Sequence, residues 1–214
     1  MNQYKNIVSL GYICSIYAYK VQTLKKKDRQ SMVFDHVGVP MWAVHDLIKN
    51  DFNDFVNEDH VEKRKLFEDS DKEFWIDNKY YTRFLFNPLK MIPKIKEGIK
   101  NLKSVLTSDQ PVLFIRYKEM IDYPDRGTRI EFDQYHDKYQ VSEEQYLKQL
   151  SDYIKTTYPE LNFRILFLSD EENSFDPEYN LVTIKAEKLD YRDHSIGKKM
   201  AQLIDQHQDF ITQN

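Results

Sequence analysis

The 214-residue chain has one cysteine, 5 glycines and no strong charge of either sign, with 31 basic against 35 acidic side chains. A single cysteine excludes an intramolecular disulfide and any zinc site built on paired cysteines. No cysteine and histidine cluster has metal-ligand spacing, so neither a metal nor another cofactor is expected. No apolar run approaches the roughly 18–20 residues needed to cross a bilayer. Met1–Lys5 lacks the charged and apolar regions of a secretory leader, so the expectation is a cytoplasmic protein with no membrane partner. A formal net charge of −4 provides no general attraction to phosphate backbones, and nucleic acid is not expected as a partner.

What is present is enough for a core. Hydrophobic residues make up 41% and charged residues 31%, with 13 Phe and 15 Tyr, a composition of folded proteins. The length predicts one domain over residues 1–214.

Local patterns predict alternating strands and helices. Ile7–Leu10 is a short apolar run closed by Gly11, and Cys14–Lys27 continues with helical character. Ser31–Asp35 is read as a second extended segment, and Pro40 opens a helix to about Asn50. Val61–Glu73 is mostly charged, and the aromatic alternation from Phe74 to Phe84 around Asp77-Asn78 predicts a hairpin. Between Pro88 and Leu106, Leu89, Ile92, Ile95, Ile99, Leu102 and Leu106 recur at spacings of three and four, the stripe of an amphipathic helix.

Pro111–Tyr117 and Phe163–Leu168 are nearly continuous apolar runs, the pattern of strands covered on both faces. Between them Ser142 and Gln145 form a capping box with Glu143 and Glu144 in the first turn. Leu181–Lys185 adds a strand and His194–Ile211 a final helix. The expected fold is α/β: a three-layer sandwich with a mostly parallel sheet, plus an added hairpin around residues 74–86. The irregular stretch Glu119–Gln140, which contains His136, is a candidate lid.

In such a sheet, ligands bind beyond the carboxyl ends of the strands. That rim collects Gly11, Cys14, Asp35, His36, Arg116, Tyr117, Ser169 and Asp170. Cys14 follows a strand-to-helix turn, where free N–H groups and the helix dipole lower a thiol pKa and bind anions. The alternative for Cys14 is a small core residue. Ser9, Gly11, Tyr12 and Ser15 surround the turn as candidate ligand contacts, but its single glycine lacks the fingerprint of a nucleotide loop. A nucleotide-sugar-dependent transferase ranks lowest for that reason.

Asp35 and His36 pair a carboxylate with an imidazole, although neighbours on a strand face opposite ways. His194, at the start of the last helix, is the second candidate base. His45, His60 and His207 lack supporting context. Arg116 ends a buried strand and needs a partner, either an anionic ligand or the acidic run Ser169-Asp170-Glu171-Glu172.

The segments Val8-Ser9-Leu10-Gly11-Tyr12-Ile13-Cys14-Ser15 and Phe34-Asp35, then Leu47-Ile48, Asp51-Phe52, Asp54-Phe55 and Val112–Arg116, resemble a bacterial family described as papain-like cysteine peptidases. The resemblance covers most of the chain, and its specific part is Ser-Leu-Gly-x-x-Cys with the following Phe-Asp. It implies Cys14 as nucleophile, Asp35 nearby, and hydrolysis of an amide or related acyl bond. His36 stands where that family commonly has Trp, and Phe84–Asn87 lacks a histidine often found there.

The leading expectation is therefore a cysteine-dependent hydrolase or acyl transferase acting on a small-molecule or peptide-like substrate, with Cys14, a base from His36 or His194, and Asp35. The expectation from another class is a non-catalytic α/β module holding an anionic or sugar-linked ligand at the turn after Leu10, with Arg116.

Overall fold

The computed structural model describes residues 4–11, 16, 19–20, 23–24, 30–65, 73–118, 141–186 and 195–212. Its larger sheet is built from the apolar runs. β1 (Asn6–Ser9), β6 (Val112–Tyr117), β7 (Phe163–Ser169) and β9 (Leu181–Lys185) are mutually parallel, and β8 (Ser174–Asp176) pairs antiparallel at the far edge. The strand order is β1-β6-β7-β9-β8. β6 and β7 are buried along their whole length, as a strand covered on both faces must be.

Alternate residues of these strands feed two apolar clusters. Phe114, Phe163, Ile165 and Phe167 point to one face. It is covered by α1 (Met41–Lys49), α2 (Ile92–Leu106) and α3 (Glu143–Thr157) through Leu47, Leu102, Leu106, Leu147 and Leu150. Leu113, Ile115, Leu166 and Leu168 point to the other, where Ile16, Tyr19, Met200 and Ile204 lie. Met200 and Ile204 belong to α4 (Ile196–Gln206), which is followed by the short helix Gln208–Ile211. Helices thus sandwich a mostly parallel sheet.

The expected hairpin is part of something larger. β4 (Glu73–Asp77) and β5 (Thr82–Phe84) pair around residues 78–81, flanked by β2 (Val37–Gly38) and β3 (Val61–Lys65), to form an antiparallel sheet in the order β2-β5-β4-β3. β3 carries the sequence Val-Glu-Lys-Arg-Lys and sits at an edge, where charged side chains protect against edge-to-edge pairing. Its charge concealed it from pattern reading. Val37 and Phe84 of this sheet join the same apolar cluster as Phe114 and Leu147.

Local chemistry accounts for the helix starts. Pro40 precedes α1 in extended conformation. Ser142 Oγ accepts the Gln145 N–H while the Gln145 side chain accepts the Ser142 N–H, completing the capping box of α3. The Pro88–Leu106 stripe forms as a 3₁₀ turn, Pro88–Met91, running into α2.

The second extended segment does not form. Residues 33–36 are a turn, and Met32, Val33 and Phe34 are buried there as packing residues. α2 presses on this turn: a methyl group at Gly98 would lie 2.7 Å from the Val33 nitrogen, and Asn101 donates to the Ser31 carbonyl at 2.9 Å. Short apolar runs serve strands and packed turns equally well, and periodicity cannot separate them.

Candidate functional site

β1 ends at Ser9, and the chain then turns sharply. Gly11 has φ +80°, a left-handed value that favours glycine, and a methyl group there would meet Val39 Cγ1 at 2.1 Å. Its N–H donates to Ser9 Oγ at 3.1 Å, and that hydroxyl donates to the Phe34 carbonyl at 3.4 Å. Ser9 is fully buried, so its hydroxyl links the β1 turn to the 33–36 turn.

Arg116 is likewise fully buried, on the face of β6 that α1 and α3 cover. One terminal nitrogen donates to the Leu10 carbonyl at 2.9 Å and the Val39 carbonyl at 2.8 Å. Its Nε and other terminal nitrogen reach the carboxylate of Glu143. Three elements converge on one guanidinium: the end of β1, the entry to α1 and the first turn of α3. The fork geometry of arginine suits this use. The expected pairing with Ser169–Glu172 is corrected, because Asp170 and Glu171 pair instead with Lys118, at 2.6 and 3.0 Å. Ser169 Oγ accepts the Glu171 N–H.

Asp35 is fully buried within the 33–36 turn, before β2, and not at the end of a strand. Its carboxylate oxygens accept from Lys20 Nζ at 3.0 and 2.8 Å, and one also accepts the Met32 N–H at 2.8 Å. Lys20, 1% exposed, donates its third hydrogen to the Gln30 carbonyl at 3.1 Å. The lysine is a site-region residue that sequence reading missed. Lysines are so rarely buried that nothing marks this one among its neighbours.

His36 is exposed at the end of the turn, after four consecutive buried residues, Met32–Asp35. Its imidazole is held below the ordinary 6.5, chiefly by desolvation; the Asp35 carboxylate opposes that effect and the Lys20 ammonium adds to it. The ring is therefore neutral at pH 7, the state in which an imidazole accepts a proton. His45 touches Tyr146 between α1 and α3, with ring centroids 6.3 Å apart. His207 Nδ1 lies 2.8 Å from the Leu203 carbonyl.

The structure thus brings Ser9, Gly11 and Arg116 together at one sheet corner, joined through Phe34 to Asp35 and Lys20. Tyr12, Cys14, Ser15, His136, His194 and the Glu119–Gln140 candidate lid lie outside the described residues. Among the described residues, no group of three or more His, Cys, Asp or Glu side chains has metal-site geometry, and no helix is long and apolar enough to cross a membrane.

The model of a protein family described as putative papain-like cysteine peptidase (DUF1796) matches residues 5–173, and the chain belongs to that family. No curated protein and no solved structure matches the chain.

Proposed function

We propose, from membership of this putative papain-like cysteine peptidase family, that the chain is a cysteine-dependent hydrolase or acyl transferase with Cys14 as nucleophile. The observation that carries the reading is that the family match spans the chain's one cysteine, three residues beyond the Gly11 turn at the end of β1. In a parallel sheet that end of the strand is where ligands bind.

In the proposed reaction Cys14 Sγ attacks the carbonyl carbon of an amide or related acyl bond while its proton passes to an imidazole. The bond to the leaving group breaks as the imidazole returns that proton to it, and a thioester remains. Water, or an acceptor nucleophile, attacks the thioester, releases the acyl group and restores the thiol. His36 is the preferred base because its neutral imidazole is ready to accept, and His194 is the alternative. Asp35 acts on His36 through its charge, since its carboxylate oxygens are engaged by Lys20 and Met32.

The test is the pH dependence of Cys14 alkylation by iodoacetamide on native protein. An apparent pKa at least about one unit below the free-thiol value near 8.5 is expected. An ordinary value, or reaction only on unfolding, overturns the nucleophile and leaves a non-catalytic module. His36→Ala should return the profile toward the ordinary value, and if His194→Ala does so instead, the base is His194.

A further inference from the structure

The Lys20–Asp35 pair has features that apolar packing alone does not explain. Both side chains are at most 1% exposed, so both charges have been taken out of water. A buried ion pair recovers little net stability over apolar residues of similar volume, but its geometry is directional. All three ammonium hydrogens have named acceptors, two on Asp35 and one on the Gln30 carbonyl. Asp35 is itself aimed by the Met32 N–H. Apolar neighbours such as Ile16 and Tyr19 fix no such direction, because the hydrophobic effect is non-directional.

The same turn also fixes the other end of the segment. Phe34 accepts from Ser9 Oγ, which accepts the Gly11 N–H, while Asp35 and Gln30 hold Lys20 among the helical residues Ile16, Tyr19 and Thr23. Only four residues, 12–15, join Gly11 to Ile16, and Cys14 is one of them.

We propose that Lys20 and Asp35 are a positioning pair for Cys14: their ion pair references the helical residues after it to the turn that already references Gly11 before it. This rests on the reading of Cys14 as nucleophile. Neither residue is assigned contact with substrate.

The experiment replaces the pair with a neutral one, Lys20→Met with Asp35→Asn, in the full chain. Asparagine retains an acceptor for the Met32 N–H, and removing both charges avoids stranding either. Cys14 alkylation is read against pH, and amide hydrogen exchange is read residue by residue. The expected result is a cooperatively folded protein in which the Cys14 apparent pKa rises by about one unit, a roughly tenfold loss of thiolate at lower pH. The amides of Gly11, Ile16, Lys20 and Thr23 should exchange about tenfold faster while β6 and β7 are unchanged. A folded variant with the wild-type alkylation profile overturns the proposal, whatever its exchange rates.

If wild type itself alkylates like a free thiol, the nucleophile reading has failed and the exchange rates alone decide. Unchanged exchange then overturns the pair as a positioning device, and faster exchange confined to those amides upholds it. Because the Asp35 charge also acts on His36, Asp35→Glu, which keeps the charge but lengthens its arm by one methylene, is measured beside the double variant and also decides if that variant does not fold. The same two measurements on Asp35→Glu then uphold or overturn the pair by the same outcomes.

Discussion

At Gly11 the backbone takes φ +80° and a methyl group would lie 2.1 Å from Val39, so strain and collision act together. Gly11→Ala should cost about 2–4 kcal/mol by denaturant unfolding, from backbone strain and overpacking combined. Arg116 is the counterpart in charge. Arg116→Met leaves Glu143 without its guanidinium and the Leu10 and Val39 carbonyls without their donor, and should cost about 3–5 kcal/mol, the range for breaking a buried pair. Arg116→Lys should recover little of it, because an ammonium cannot reproduce the fork. His36 supplies a pH-dependent prediction. Its folded pKa is below 6.5, so between those values the unfolded chain binds more protons and stability falls as pH falls. His36→Gln should flatten that part of the stability profile between pH 7 and pH 5, by a small amount because the residue is exposed.

Among the described elements, the stretch after α1 carries the most residues with left-handed backbone. Asp51, Phe52, Asp54 and Val56 all have φ between 57° and 60°, and left-handed Phe and Val are rare. Buried packing of Phe52 and Val56 opposes the strain, and Asp77 pins the end of the segment. Its buried carboxylate accepts N–H groups from Val56, Lys79 and Tyr80, tying the segment to the β4–β5 connection. Asp77→Ala should cost about 2–4 kcal/mol, since three backbone donors lose their acceptor and each costs about 1–3 kcal/mol unsatisfied, partly relieved by water. Desolvation raises the Asp77 pKa above 3.8, against the three N–H groups that lower it. The native state therefore binds more protons just above pH 3.8, and this contribution to stability is lost as pH rises through the folded value. Asp77→Asn removes that loss, so in denaturation experiments the stability of the variant relative to wild type should be more favourable at pH 7 than at pH 4.

For the whole molecule, one apolar cluster contains Val37 and Phe84 from the antiparallel sheet alongside Phe114 and Phe167 from the parallel one. The two sheets should unfold as one unit, in keeping with the single domain expected from length. Tryptophan fluorescence, which reports Trp42 on α1 and Trp75 on β4, should follow the same transition as far-UV circular dichroism. Two separated transitions would show that the antiparallel sheet is an independent unit.

Several elements were legible from the chain because their signals are local. The stripe from Leu89 to Leu106 specifies one helix face, Ser142 and Gln145 specify a helix start, and the runs at Pro111–Tyr117 and Phe163–Leu168 combine strand length with apolar residues almost throughout. The sequence alone thus determined the alternation of strands and helices and the mostly parallel sheet. Tertiary structure decided the rest. Burial of Lys20 against Asp35 and the choice of Glu143 over Asp170 for Arg116 join residues that no single local pattern contains, and the charged β3 is a strand only through its pairing with β4. An ion pair or a strand register is settled by which surfaces exclude water together, and no local pattern contains that information.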